Sequence, residues 1–235
     1  MDTHHTSGGN CWACHASLAN SPLLCPHCAK VQPATGVDYF QAFAAVTGGL
    51  PRLALDTAAL ELEFHRLSRR LHPDRFARAS AGEQAWSLAA TALLNDAYRT
   101  LRDPIQRIEY LLSITGHAVG EQNSGRNKSA DRQPPADLLE EVFDLNMQLE
   151  EMRMNRKIGE DDPSLTADLL RSQTHFQALL AQVDNNLADL SAQWDAGDTA
   201  SRDLAAKSMA KLLDRRRYLT NLVRDVNEVL STPVL

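Results

Sequence analysis

Apolar side chains recur three or four residues apart along most of this chain, and that spacing places them on one face of an α-helix. The pattern is clearest over residues 60–71 and 176–230, with a break at the sequence WDAGD before the last long helix. The alternation of apolar and polar residues that marks a half-buried strand does not occur, and β-branched residues are sparse. The pattern predicts an all-α protein.

The C-terminal part of the sequence predicts a three-helix bundle. The first helix runs from about Pro135 to Lys157, the second begins near Pro163, and the third follows Gly197 and Asp198, which suit a C-cap and an N-cap. Two long helices joined by a short turn lie antiparallel, and the first helix can pack along them. We interpret the apolar stripe of the two long helices as core: Phe176, Leu180, Val183, Leu187, Leu190, Trp194, Leu204, Met209, Leu212, Leu219, Leu222, Val226 and Leu230.

Composition divides the chain into four parts. Residues 1–37 contain every cysteine, residues 38–116 contain helical segments of balanced charge, and residues 135–235 form the predicted bundle. Residues 117–134 are rich in polar and small residues and nearly lack large apolar side chains. That composition is typical of a flexible linker, so we place a domain boundary there.

The net charge of −6 is unevenly distributed. Nine arginines match nine Asp and Glu residues over residues 38–116, whereas eighteen acidic residues face eleven basic ones over residues 135–235. The acidic C-terminal part argues against nucleic-acid binding there. No apolar run approaches the ~18 residues of a membrane span, and the first residues lack the pattern of a secretory or organelle signal. We therefore expect a cytoplasmic protein without membrane contact.

All four cysteines lie in the sequence CWACHASLANSPLLCPHC, as two C-x2-C pairs ten residues apart. Two such pairs bring four thiolates to the corners of a tetrahedron, which suits one structural zinc ion. A redox dithiol and an iron–sulfur centre are the alternatives. His15 and His27 lie within this segment, but four thiolates already close the site. The predicted ligands are Cys11, Cys14, Cys25 and Cys28.

The sequence RRLHPDRF, residues 69–76, ends an otherwise regular helix. Asp56 suits the N-cap of that helix, and Pro73 stops it. The stripe that faces the core is Leu60, Phe64, Leu67 and Leu71. Three arginines fall on a different face that they share: Arg66, Arg69 and Arg70. A surface loop and a solvated arginine face are the simplest interpretations of these residues.

The surroundings of this loop resemble a J-domain. The sequence DYF comes first, then the basic helix, then HPD, then a helix that ends in LLNDAYRTLRDP, and together they cover about residues 38–104. The resemblance implies a protein that is not an enzyme itself. It would dock on an ATP-bound chaperone of the seventy-kilodalton heat-shock class and stimulate its ATP hydrolysis. The chaperone-binding residues that it implies are His72, Pro73, Asp74, Arg66, Arg69 and Arg70.

The order of the parts resembles the HscB family, the J-type co-chaperones of iron–sulfur cluster assembly. The sequence PIQRIEYLLSITG matches the family's connection between J-domain and acidic bundle, and the four-cysteine segment is similar to the extension of eukaryotic members. The resemblance implies that the bundle holds an iron–sulfur scaffold protein while the J-domain recruits the chaperone. Transfer of the cluster to an acceptor would follow.

In that family the scaffold-binding surface combines apolar and acidic residues of the first bundle helix with an aromatic residue of the last. Burial in the bundle core is the other interpretation of Leu139 and Phe143. Glu140 departs from the family, which usually has an apolar residue there. The surface that the resemblance implies comprises Leu139, Phe143, Asp144, Met147, Glu151 and Tyr218.

Three other functions are alternatives at this point. The first is a general J-protein whose bundle binds other clients, and the second is a zinc-dependent regulator that binds nucleic acid. The third is a zinc or redox enzyme. The acidic bundle counts against nucleic-acid binding, and a closed metal site without a general base counts against catalysis. The sequence does not indicate an oligomeric state.

Overall fold

The computed structural model describes residues 9–18, 22–117 and 135–232. Within them the protein contains α-helices, short 3₁₀ turns and two isolated β-bridges but no strand, which confirms the all-α fold. Apart from His117, the predicted linker of residues 117–134 lies outside the described residues.

Two units make up the chain, Met1–Leu111 and Leu112–Leu235. Among the described residues, the helices that begin in the first unit are α1 (Tyr39–Ala42), α2 (Ala44–Thr47), α3 (Thr57–Leu71), α4 (Ala81–Arg102) and α5 (Pro104–Ile114). Those of the second unit are α6 (Leu139–Lys157), α7 (Pro163–Ala196) and α8 (Thr199–Ser231). Single 3₁₀ turns precede α4 and α6, at Pro73–Phe76 and Ala136–Leu138. None of the helices in these ranges combines the length and the apolar character needed to cross a membrane.

Three helices begin where the sequence predicts them. Asp56 caps α3 by accepting hydrogen bonds from the backbone N–H groups of Ala58 and Ala59 at 2.9 and 3.1 Å. Asp162 and Asp198 cap α7 and α8 in the same way. Each aspartate satisfies N–H groups that have no partner within their helix, which fixes the starting point.

Gly197 ends α7, as predicted, but its backbone is not left-handed, because its φ is −81°. Glycine is required there for space: a Cβ atom on residue 197 would lie 2.9 Å from the carbonyl oxygen of Gln193. The short connection from α7 to α8 therefore depends on the missing side chain.

The core of the first unit includes the contact between α3 and α4. Leu60 and Leu71 of α3 and Leu94 of α4 are fully buried. Phe64 stacks on Tyr98 with ring centroids 4.2 Å apart, which places it beside that core. The predicted stripe of α3 is therefore confirmed.

Arg107 of α5 is a buried charge in the same unit. Its Nε donates a hydrogen bond to the carbonyl oxygen of Leu101 at 2.6 Å, and its Nη1 donates to the carbonyl oxygen of Leu53. A buried guanidinium requires such acceptors. Arg107 thus joins the segment before α3 to the end of α4.

The directions of the two long helices follow from the side chains that join them. Asp184 accepts a hydrogen bond from Arg216 at 2.6 Å, and Gln173 is bonded to Asn227. Because the residue number rises along α7 as it falls along α8, the two helices are antiparallel, as predicted.

The first bundle helix runs parallel to α8. Asp137, just before α6, receives two hydrogen bonds from Arg215 at 2.9 and 2.8 Å. Arg156, near the end of α6, donates to the carbonyl oxygen of Leu230 at 3.2 Å. These contacts complete the three-helix bundle.

The prediction is wrong for one residue of the bundle core, Leu204. Leu204 is 67% exposed, whereas Ala205, Ala206 and Met209 are buried at that level of α8. Leu204 precedes Met209 by five residues, which places it about 140° away around the helix. The other predicted stripe residues of α7 and α8 are buried or half-buried.

We expect Phe176→Ala to destabilise the bundle, because Phe176 is 1% exposed and its truncation leaves a cavity. The free energy of unfolding, from chemical denaturation followed by circular dichroism, should fall by about 3–5 kcal/mol. Phe143→Ala is the matched control, since Phe143 is 64% exposed, and its effect should stay below ~1 kcal/mol. Equal decreases in the free energy of unfolding of the two variants would contradict the burial of Phe176 and the exposure of Phe143.

Candidate functional site

The four cysteines lie together in the first unit. Their sulfur atoms are all within 4.8 Å of one another. Cys11 and Cys28 are 3.6 Å apart at Sγ, and Cys14 and Cys25 are 3.7 Å apart. Each C-x2-C pair is closed by one β-bridge, Asn10 to Ser17 in the first and Leu24 to Val31 in the second. The four thiols thus form a possible metal site, as the spacing predicts.

Backbone N–H groups point at two of these sulfurs. Ala13 donates to Cys11 Sγ and His27 donates to Cys25 Sγ, each at 3.4 Å. The Gln32 side chain also donates to Cys11 Sγ at 3.4 Å. Such donors stabilise negative charge on sulfur, so they favour the thiolate form that binds metal.

The thiols differ in acidity. Burial raises the pKa of Cys11, but the N–H groups of Cys14 and Ala13 outweigh it and the pKa falls to about 6. At Cys28 the N–H of Lys30 lowers the pKa, but burial and the neighbouring thiols outweigh it and raise the pKa to about 12. Binding of a metal therefore requires release of a proton from Cys28.

The two histidines near the cysteines do not join this cluster, which among the described residues comprises the four cysteines alone. His15 has a positive φ of 58° and directly follows Cys14. Ala29 has a φ of 60° at the corresponding place after Cys28. The left-handed residue lets each pair turn its chain back sharply, so the position of His15 serves the turn.

The HPD loop presents its two polar side chains to solvent. His72 ends α3, and Pro73 begins the 3₁₀ turn that follows. The His72 Nδ1 atom accepts a hydrogen bond from the Asp74 backbone N–H at 3.3 Å and lies 3.5 Å from Asp74 Oδ2. The Asp74 side chain is nevertheless 91% exposed, so its carboxylate is accessible to a partner.

The three predicted arginines of α3 are not equivalent. Arg66 donates two hydrogen bonds to Glu63, at 2.6 and 2.5 Å, and this partner raises the pKa of Arg66. Within the described ranges, Arg69 and Arg70 have no ion-pair partner on this chain. Arg69 is exposed and Arg70 half-buried, so these two guanidinium groups are the more available for a partner's carboxylates.

A groove of about 1050 Å³ lies between α6 and α8. Leu139, Phe143 and Tyr218 line it, which brings three of the predicted scaffold-binding residues together. Leu139 is 59% exposed and Phe143 is 64% exposed, so the interpretation of these two as bundle core is wrong. The bundle core is formed instead by other residues of α6, such as Leu145 and Leu149.

The remaining predicted residues of α6 do not line this groove. Met147 is exposed one turn beyond Phe143 on the same stripe. Asp144 lines a smaller groove between α6 and α7 that includes His175, and Glu151 is exposed further along α6. The predicted set therefore covers two adjoining faces of α6.

Several residues at these sites were missed by the sequence interpretation. Met154 is 61% exposed and continues the stripe of Met147, which its spacing of seven residues indicates in retrospect. Lys30 forms an ion pair with Glu83 at 2.7 Å. No local pattern indicates that ion pair, because its members lie far apart in the sequence.

No family model matches this chain. Several solved structures resemble it, among them the following two. The chaperone HscB from Vibrio cholerae is 26% identical, with a TM-score of 0.51, over 82% of this chain and 96% of that chain. The human co-chaperone HscB is 22% identical, with a TM-score of 0.59, over 93% of this chain and 97% of that chain. The predicted resemblance to the HscB family is confirmed, and the comparisons support the role of a J-type co-chaperone.

We expect Cys25→Ser to abolish metal binding, because it removes one of four clustered sulfurs. The measurement is the thiolate-to-metal absorption of the protein titrated with Co²⁺, together with metal content after purification. His27→Ala is the matched control within the same pair and should bind like the unaltered chain. Loss of binding in His27→Ala as well would contradict the assignment of four cysteines alone.

Proposed function

We propose that this chain is an HscB-type co-chaperone of iron–sulfur cluster biogenesis. Its HPD loop stimulates ATP hydrolysis by a heat-shock chaperone of the seventy-kilodalton class, and its bundle delivers the iron–sulfur scaffold protein to that chaperone. The observation that carries the proposal is the presence, in one chain of this fold, of an exposed HPD loop and a bundle with an exposed apolar groove.

The HPD loop would act by presentation of charge. Pro73 restricts the backbone beside His72, so little conformational freedom is lost when a partner engages Asp74. Arg69 and Arg70 add guanidinium groups whose planar forks match carboxylates. A basic face of this kind increases the rate of encounter with an acidic chaperone surface and fixes the orientation of docking. The ATP chemistry remains in the chaperone, so no residue of this chain is catalytic.

The groove between α6 and α8 would bind the scaffold protein. Leu139, Phe143 and Tyr218 supply apolar and aromatic contacts, and charged residues such as Asp137 and Arg153 also line the groove. An apolar centre with a charged margin is the usual composition of a specific protein interface. Asp144, Met147 and Glu151 extend this surface along α6.

The cysteine cluster would hold one structural zinc ion. Zn–S bonds of about 2.3 Å in a tetrahedron place the sulfurs about 3.8 Å apart. The 3.6 and 3.7 Å separations fit that geometry and are far longer than the ~2.05 Å of a disulfide. Bound zinc would cross-link two chain segments that meet in a small core: Cys11, Leu18 and Cys25, with Cys28 packed beside it.

Four functional parts follow from this proposal. Residues 1–37 form the zinc-binding element, residues 38–116 the J-domain, residues 117–134 the linker, and residues 135–235 the scaffold-binding bundle. We propose that the protein acts in the cytoplasm on protein partners and binds neither nucleic acid nor membrane.

We expect His72→Gln to abolish stimulation of the chaperone ATPase, because it removes the ring that accepts the Asp74 N–H and so alters the loop. The measurement is steady-state ATP hydrolysis by the chaperone, with and without scaffold protein. His65→Gln, an exposed histidine of the same helix, is the matched control and should stimulate normally. Full stimulation by His72→Gln would disprove the J-domain assignment.

We expect Phe143→Ala combined with Tyr218→Ala to weaken scaffold binding by about 2–4 kcal/mol, because both side chains line the groove. Isothermal titration calorimetry with the iron–sulfur scaffold protein measures the affinity. Leu204→Ala removes an equally exposed apolar residue of α8 outside the groove and should leave the affinity unchanged. Unaltered binding in the double variant would favour a J-protein for other clients.

A further inference from the structure

We infer that the zinc-binding element positions the HPD loop, with Lys30 and Trp12 acting through the first turns of α4. Lys30 and Trp12 would thus be positioning residues for stimulation of the chaperone. This inference rests on the proposed function for its consequence at the chaperone, whereas the contacts that carry it belong to the first unit alone.

Lys30 holds the first turn of α4 through a buried carboxylate. Its Nζ donates to Glu83 Oε1 at 2.7 Å, and the Glu83 side chain is only 8% exposed. The other oxygen of Glu83 accepts from the backbone N–H of Ser80 at 3.3 Å and from the Ser80 hydroxyl at 3.0 Å. Lys30 lowers the pKa of Glu83, which keeps this carboxylate charged and able to bind both partners.

Trp12 provides a second contact with the same helix. Its ring lies 5.5 Å from that of Trp86, measured between centroids. The indole Nε1 of Trp12 donates to the carbonyl oxygen of Val31 at 2.8 Å, and Lys30 lies over the ring at 5.8 Å. Because Trp12 stands between two predicted zinc ligands, metal binding would fix its position and that of Lys30 together.

The first turns of α4 in turn hold both ends of the HPD loop. Ser87 Oγ donates to the carbonyl oxygen of Leu71, the residue before His72, at 2.6 Å. The Gln84 side chain donates to the carbonyl oxygens of Ala77 and Ala79, beyond the 3₁₀ turn, at 3.4 and 3.0 Å. Movement of these turns would therefore displace the loop.

Loss of the contacts from the zinc-binding element would affect the start of α4 and the HPD loop rather than the whole helix. The middle and end of α4 are anchored by the fully buried Leu94, Ala97 and Leu101. The first two turns carry the capping box and the contacts with Lys30 and Trp12, and helix ends open more readily than helix centres. Removal of the metal would thus increase opening around residues 71–84 without unfolding the bundle. Metal occupancy then sets how well the loop is ordered for the chaperone.

Hydrogen exchange on the full chain tests the structural step. Lys30→Met and metal removal by a chelator should each speed amide exchange over residues 71–84 by on the order of tenfold, the effect of losing a charged hydrogen bond. Exchange in α7 and α8 should not change. Lys207→Met, which removes a more exposed ion pair of similar length with Asp203, 2.6 Å in α8, is the control and should leave residues 71–84 unaltered. Unchanged exchange in both Lys30→Met and the metal-free chain would overturn the inference.

The carboxylate partner is tested by a double-variant comparison. If Lys30 acts through Glu83, Lys30→Met should have little further effect on exchange in a chain that already carries Glu83→Gln. Lys30→Arg, which keeps the charge, should restore slow exchange in the otherwise unaltered chain. Additive effects of Lys30→Met and Glu83→Gln would show that Lys30 acts elsewhere and would overturn this step.

The ATPase assay tests the consequence for function. Trp12→Ala and Lys30→Met should lower stimulation of the chaperone severalfold, while scaffold affinity stays constant. Normal stimulation by both variants despite faster exchange would overturn the positioning role. Failure of the proposed function is a distinct result, because His72→Gln would then stimulate as well as the unaltered chain.

Discussion

The hydrogen bond from Ser87 to the carbonyl oxygen of Leu71 fixes where α3 meets α4, and the geometry of the HPD loop depends on it. Pro73 prevents α3 from continuing, so the carbonyl groups of its last turn need partners outside the helix. The Leu71 carbonyl finds them in the hydroxyls of Ser87 and Thr91, at 2.6 and 3.2 Å. A buried carbonyl without a partner costs about 1–3 kcal/mol, so α3 and α4 are stable together in one register. The loop leaves α3 at a defined point for this reason.

In the bundle, helix α6 buries one apolar face while another apolar face stays exposed. Leu145 and Met152 are buried away from the groove, whereas the exposed Leu139 and Phe143 line it. Exposed apolar residues add little to folding, so the position of α6 depends mainly on its buried face. The Asp137–Arg215 pair adds a directional contact at its start. A helix held in this way presents the groove as a preformed surface, which limits the ordering cost of binding.

Local rules predicted much of this structure. Helix stripes, N-caps and the cysteine spacing each depend on residues within one or two turns, so the sequence indicates them directly. The error at Leu204 came from extending a stripe across a step of five residues, where helical geometry favours Ala205 instead. Tertiary packing places the predicted scaffold-binding residues on two faces of α6, and it also brings Lys30 to Glu83. No spacing along the chain records which distant elements meet, so those features follow only from the three-dimensional fold.

The two proposed binding surfaces differ in their physics, and this difference suits their proposed tasks. The proposed chaperone-binding face consists of the exposed charges of Asp74 and Arg69 and the half-buried charge of Arg70. Such charges accelerate encounter but contribute little affinity where water and salt screen them. The groove around Phe143 and Tyr218 is partly apolar, so its affinity comes from removal of apolar surface from water. A complex formed there dissociates more slowly. A co-chaperone that retains its scaffold protein while it visits a chaperone briefly needs this combination. The distribution of charge and apolar surface thus fits delivery of a held partner to a transiently bound ATPase.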